Sequence, residues 1–139
     1  MNGEKITRAS DVMSDDFILV EGLSTVTEAL REIKAKGARC AVVKKRHEDD
    51  EYGILLLSDI AKQVIAHNRS PDRVNVYEIM SKPVISVRPN MDVRYIARMF
   101  DTFGLTLAPV LHSSEVLGVV SYEDIVLHAM SRSSDVPTK

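Results

Sequence analysis

Two aspartates carry the clearest chemical possibilities in this chain. Asp59 stands in the run "GILLLSDI" (Gly53 to Ile60), and Asp124 in its near copy "GVVSYEDI" (Gly118 to Ile125), 65 positions later. An ionised carboxylate accepts hydrogen bonds from both hydroxyls of a vicinal diol, the arrangement a ribose presents. The glycine that opens each run lets another group approach the backbone, and Ile54 and Val119 offer apolar walls for a flat ligand. Exposed N–H groups at a following helix start would favour phosphates nearby. The same facts admit a purely structural reading. An aspartate in the first turn of a helix is favoured by the helix dipole, and Ser58 or Ser121 would cap that helix. A cap needs neither the glycine nor the apolar run repeated with it; a diol pocket between apolar walls does.

Other reactive side chains are weaker candidates. The turn "HEDDE" (His47 to Glu51) lacks a second cluster at metal-ligand spacing, so a solvated acidic turn is expected and no metal. The histidines His47, His67, His112 and His128 are scattered over turns and helix ends. Cys40, the single cysteine, lies in an apolar strand and reads as a buried, inert thiol. Walker A, GxSxG, HExxH and CxxC motifs are absent from the sequence, and no nucleophile–base pairing is evident, so no catalytic residue and no enzyme is expected.

The elements that must position the aspartates follow from an internal repeat. Sliding the sequence over itself by 67 positions lays "DVMSDDFILV" (Asp11 to Val20) on "EIMSKPVISV" (Glu78 to Val87). Gly37 then meets Gly104, and Val43 meets Val110. The offset falls to 65 in a polar turn, which brings Asp59 onto Asp124. Each unit reads β-α-β-β-α, an α/β (α+β) class: repeat one over residues 7–69, repeat two over 70–131, and a polar, frayed tail over 132–139. "FILV" and its counterpart "VISV" are the first strands. Ser24 or Thr25 caps the first helix and Gly37 stops it; Asn90 caps the matching helix and Gly104 stops it. Val26, Ala29, Leu30 and Ile33 share one helical face; Val93, Ile96, Ala97 and Phe100 share the other. Two hairpin strands and a closing helix, about Ser58 to His67 and Glu123 to Ser131, complete each unit. Pro109 demotes its strand to an edge or an irregular start. A single unit of about 60 residues buries little surface alone, so two sheets packed across a pseudo-twofold axis, with clefts between the repeats, are expected.

The totals set the class. The apolar fraction is 45%, Lys plus Arg number 18, Asp plus Glu 20, and the net charge is −2. That balance gives no pull toward nucleic acid or anionic lipid. No apolar run approaches the ~20 residues of a membrane span, the N-terminus lacks a signal-peptide centre, and a lone cysteine suits a reducing cytosol. A cytoplasmic protein is expected, with no membrane and no nucleic-acid partner.

Two β-α-β-β-α units, each ending glycine–apolar–apolar–x–x–x–Asp–Ile, resemble a pair of cystathionine β-synthase (CBS) domains, a Bateman module. "DVMS" and "EIMS" are similar to the family's opening, and "APV" (Ala108 to Val110) to its "LPV". "GVVSYED" meets the family's closing signature in full; "GILLLSD" departs, with Leu56 where Ser or Thr is expected. The resemblance implies a non-catalytic regulatory module with no required cofactor. Its ligand would be an adenine nucleoside or nucleotide such as AMP, ADP, ATP or S-adenosylmethionine. By the same resemblance, one cleft would use Ser121, Asp124 and Val119 with Thr7, Ile18, Thr106 and Leu107. The other would use Asp59 and Ile54 with Val74, Val76 and Ile85. Arg39, which matches Thr106 across the repeat, is the best-placed cation for a phosphate. A hydroxyl lost at Leu56 costs roughly 0.5–1.5 kcal/mol, about tenfold in affinity, so the Asp124 cleft should be preferred. Apolar faces on the first and last helices of each unit suggest a homodimer that signals to a separate effector protein. The rival reading is a structural or interaction protein with vestigial clefts.

Overall fold

The computed structural model describes residues 6–135, with side chains described as far as 129. Residues 1–5 and 136–139, the last four of the expected tail, lie outside the described residues. In chain order the elements are α1 (Ala9–Val12), β1 (Phe17–Val20), α2 (Val26–Lys36), β2 (Cys40–Val43), β3 (Gly53–Leu56) and α3 (Leu57–Ile60). They continue with α4 (Val76–Ile79), α5 (Val93–Phe103), β4 (Leu107–His112), β5 (Glu115–Ser121) and α6 (Tyr122–Asp135). A wider π-turn over Ala61–Ile65 prolongs α3, so a closing helix from about Ser58 onward is recovered. The backbone of α6 runs to Asp135, into the stretch expected to fray.

The chain forms two compact units, and they are not the two sequence repeats. One unit is Asp16–Val84; the other joins the residues before Asp16 to those from Ile85 onward. Thus α1, the opening of repeat one, belongs with the strands of repeat two, and α4, the opening of repeat two, belongs with the strands of repeat one.

In the Asp16–Val84 unit, β1 runs parallel to β2 and β2 antiparallel to β3, with Phe17 opposite Cys40 and Cys40 opposite Leu56. The parallel pair needs a crossover, and α2 supplies it. Thr25 caps α2: its side chain accepts the Glu28 N–H at 3.1 Å while the Glu28 carboxylate accepts the Thr25 N–H at 2.8 Å. Gly37 ends the helix at φ 76°, a left-handed conformation that glycine adopts without cost. Val26, Ala29 and Ile33 face inward, as their spacing predicts, and meet alternate strand residues Ile18, Val20, Ala41, Val43 and Leu55. Val74, Val76 and Ile79, from the opening of repeat two, complete this core.

The exchange explains the repeated glycines. Ser81 and Ile54 trade two backbone hydrogen bonds, each 2.9 Å, directly beside Gly53, and Ser14 and Val119 do the same beside Gly118. A Cβ on Gly53 would lie 2.8 Å from Met80 Sδ, and one on Gly118 would lie 2.8 Å from the Ser14 carbonyl oxygen. The close approach read from these glycines is real, and the approaching group is the "MS" of the opposite repeat.

The second unit departs from expectation in its first strand. "VISV" forms no strand; only Val87 bridges Val110, donating to the Pro109 carbonyl at 3.0 Å and accepting from the Leu111 N–H at 2.9 Å. In a parallel ladder of that register, the next donor toward Ile85 is the N–H of residue 109. Proline has none, so the ladder stops after one step. Pro109 itself sits inside β4, paired with Val119 of β5. The sheet therefore has two strands, β4 and β5. Asp92, not Asn90, caps α5, its carboxylate accepting the Arg94 N–H at 2.9 Å. Gly104 ends that helix at φ 67°. Ile96 and Phe100 pack with Val87, Ala108, Val110 and Val120, joined by Ala9 and Val12 of α1. Tyr122 meets the Phe100 ring edge-on, 5.2 Å between centroids.

Candidate functional site

Each signature aspartate stands in the first turn of its closing helix and reaches back to the residue preceding that helix. Asp124 Oδ2 accepts the Ser121 N–H at 2.9 Å and the Ser121 hydroxyl at 3.0 Å, and Ser121 Oγ accepts the Asp124 N–H at 3.1 Å. Ser121 is buried, 4% exposed, and its position is fixed by pairing with Leu107 across β4–β5. In the other unit, Asp59 Oδ2 accepts the Leu56 N–H at 2.9 Å. Leucine has no acceptor to return the bond and no hydroxyl to add one. Ser58 is not the cap, because α3 already begins at Leu57.

The capping reading and the ligand reading are compatible. A carboxylate offers about four acceptor directions, more than a helix cap by itself requires. The cap fixes the carboxylate's orientation, a condition for holding a second partner with defined geometry. Asp59 and Asp124 are both half-buried, within reach of solvent.

The structure gathers some of the expected site residues and disperses others. Thr106, exposed, lies beside Ser121 and Asp124: its carbonyl accepts the N–H of Tyr122, which lies between them, at 3.3 Å. Half-buried Leu107 and buried Val119 belong to the same strand pair. Thr7 does not join them within this unit. Its carbonyl accepts from Val93 at the start of α5, whereas Thr106 follows that helix's end, and 11 residues of helix span about 16 Å. Ile18 belongs to the Asp16–Val84 unit, and its side chain lies in that core.

Around Asp59, Ile54 is buried on β3. Arg39 precedes Cys40, which pairs with Leu56, so the structure does bring this cation to the Asp59 end of the sheet. Arg39 is engaged there: its Nε lies 3.5 Å from Asp16 Oδ2, and its backbone N–H donates to the Asp16 carbonyl at 2.9 Å. Val74 and Val76 lie at the opposite end, by the start of α2, where the Val74 carbonyl accepts the Val26 N–H and Val76 donates to Ser24. Their side chains are 1% and 0% exposed and committed to the core. Ile85, 38% exposed, belongs to the other unit.

Cys40 is fully buried, and that burial pushes its thiol up to about 12, against a smaller downward pull from Arg39. It is an inert thiol under ordinary conditions. Among the described residues, no set of three His, Cys, Asp or Glu side chains forms a metal cluster. Asp50 of the acidic turn is instead ion-paired with Lys82, 2.8 Å away. No helix among the described residues is long and apolar enough to cross a membrane.

The exchanged openings are what residue-by-residue reading missed. The signal lay in two repeats seen separately, "MS" and the glycine. Only their pairing across the chain gives them one cause.

Comparison with known proteins agrees with this geometry. The CBS domain family model matches residues 9–66 and 76–131. A hexameric CBS-CP12 protein from bloom-forming cyanobacteria superposes with a TM-score of 0.87 at 34% identity, over 96% of this chain and 76% of that one. A CBS domain pair crystallised with 5′-methylthioadenosine and S-adenosyl-L-methionine superposes with a TM-score of 0.78 at 24% identity, over 92% and 99%. An L-aspartate semialdehyde sulfurtransferase of Methanosarcina acetivorans is 31% identical over 88% of this chain. The chain spans 24% of that relative's length and 59% of another matched relative. With two matched segments that together take in most of its length, the chain belongs to the CBS domain family, as a tandem pair.

Proposed function

We propose that this CBS pair is a non-catalytic regulatory module that binds an adenine nucleoside or nucleotide at its signature carboxylates, with Asp124 the stronger anchor. One observation carries the reading: a serine–aspartate pair, Ser121 and Asp124, is locked by three reciprocal hydrogen bonds at the lip of a strand pair. The cap fixes the carboxylate's orientation, which supports a role in holding a diol, and the serine hydroxyl adds a polar group that Leu56 cannot supply at Asp59. Support also comes from the related CBS pair whose crystals contain two adenosyl ligands. AMP, ADP, ATP and S-adenosylmethionine are the ligands to try first. The regulated partner would be a separate protein or a further part of a longer chain, and a homodimer is the assembly proposed.

Thermal-shift titration tests this. A ligand held at a hundred times its dissociation constant adds about 2.7 kcal/mol of stability, and Asp124→Ala should remove most of that shift while Asp59→Ala keeps most of it. The reverse order would overturn the assignment of the stronger site.

A second reading rests on a specific likeness. The CBS-CP12 relative is described as a hexamer, so this chain could act through assembly, with its carboxylates serving only as caps. Absence of any shift with all four ligands would favour that role.

A further inference from the structure

The end of the Asp16–Val84 sheet remote from Asp59 holds a cavity of about 340 Å³. Leu23, from the turn after β1, Tyr77 of α4 and Met80 just after it give the cavity apolar walls. Lys44 and Arg46, following β2, and Lys82, following α4, give it three cations. One carboxylate positions two of them. Asp50, its side chain 8% exposed, lies 2.8 Å from Lys82 Nζ and 3.4 Å from Arg46 Nε, and accepts the Arg46 backbone N–H at 2.8 Å. These hydrogen bonds, led by that from Lys82, hold the Asp50 carboxyl well below the usual carboxylate range. Glu21 offsets Lys44 at 3.5 Å. Against the two carboxylates, the three cations leave one positive charge in excess.

The repeat provides an internal comparison. The matching end of the other unit also has a hollow, about 500 Å³, bounded by Arg88, Asn90 and Leu111 among others. At the offset of 67, Leu111 stands for Lys44, Asp15 for Lys82 and Ser10 for Tyr77, and the shorter turn has His112 and Ser113 where Arg46 lies. The hollow is thus a consequence of the fold, repeated with it. The three cations and the aromatic ring are not: they occur in one copy alone.

We propose that the cavity beside Tyr77 is a second ligand site, distinct from the carboxylate sites and taking a small molecule that joins a phosphate group to a flat apolar portion. The guanidinium of Arg46 matches phosphate oxygens in a planar fork, and Lys44 and Lys82 add point charges. The apolar portion lies against Tyr77, between Leu23 and Met80. The volume falls in the range of small-molecule pockets, about 300–1,000 Å³, and a few convergent polar groups on an apolar lining are the usual composition of such sites.

Phenyl phosphate is a suitable probe, titrated into the intact chain while amide NMR shifts are followed, with phenol and inorganic phosphate as its two halves. The expected result is affinity for phenyl phosphate about tenfold or more above either half, with shifts at Gly22, Leu23, Tyr77 and Lys82. The double variant Lys44→Leu, Arg46→Ser copies the other repeat at exposed positions. It should weaken binding about tenfold or more, whereas Asp124→Ala should leave binding unchanged. Shifts centred on Ser121 and Asp124, undiminished binding in the double variant, or no gain of phenyl phosphate over phosphate would each overturn the proposal. Failure here leaves the adenine-ligand reading untouched, because the cavity shares no residue with the Asp124 site and lies at the end of its own sheet remote from Asp59.

Discussion

The chemistry of this chain turns on which atom approaches which. At Gly53 and Gly118 the approaching group is the backbone of an exchanged opening segment, and the two positions differ in what a methyl group would strike. An added Cβ at Gly118 meets the carbonyl oxygen of Ser14, a residue held by two backbone hydrogen bonds to Val119; at Gly53 it meets chiefly the sulfur of Met80, the mobile part of a flexible side chain. Overpacking typically costs about 1–3 kcal/mol. Gly118→Ala should therefore fall at the upper end and Gly53→Ala at the lower end, as measured by urea unfolding midpoints. Equal costs would mean that the glycines answer to something other than these contacts. The same scale separates the aspartates. Asp124 is held by a serine backbone and hydroxyl, Asp59 by one leucine N–H, so equal sequence positions have unequal chemistry.

At the scale of elements, a missing donor decides the difference between the sheets. Pro109→Val would restore an N–H where the ladder toward Ile85 breaks. The new amide at position 109 should gain one hydrogen bond, a net of about 0.5–1.5 kcal/mol, and hydrogen exchange at that amide should slow about tenfold. Exchange at the rate of an open loop would show that Pro109 is not what ends the strand. The helices were legible because their information is local. Thr25 with Glu28, the inward spacing of Val26, Ala29 and Ile33, and the terminal Gly37 lie within one short stretch. The hairpins were legible for the same reason. The lost strand was not, because "VISV" is apolar and β-branched in its own right and its failure originates in a proline more than twenty residues away. The cap of α5 was misplaced by two residues because Asn90 and Asp92 are both good caps, and only the backbone distinguishes them. At the site, Thr106, Leu107, Ser121 and Asp124 were legible as a cluster because the hairpin and helix that join them are local. Thr7, Val74 and Val76 were not, since their placement depends on the exchanged openings.

At the scale of the molecule, sequence repeats and folded units are offset from one another. The core of the Asp16–Val84 unit includes Val74, Val76 and Ile79. A fragment cut as repeat one, residues 7–69, lacks all three. Each such side chain contributes about 1.5–3 kcal/mol by burial, and their sum is comparable with the whole stability of a small domain, about 5–15 kcal/mol. The fragment 16–84 should show dispersed amide NMR signals, and the fragment 7–69 should not. Two equally folded fragments would mean that the exchanged opening adds little. The offset also gives the duplicated glycine–apolar–aspartate run two tasks in one stretch. Its glycine receives the opposite repeat's opening, and its aspartate caps the closing helix.

The most direct measurement is a calorimetric cycle with AMP and its 2′-deoxy analogue on the intact chain and on Asp124→Ala. If the oriented carboxylate holds the ribose diol, removing one hydroxyl should weaken binding to the intact chain by about tenfold or more, and the two ligands should bind Asp124→Ala alike. Equal affinity of both ligands for the intact chain would contradict the assignment of Asp124 to the sugar.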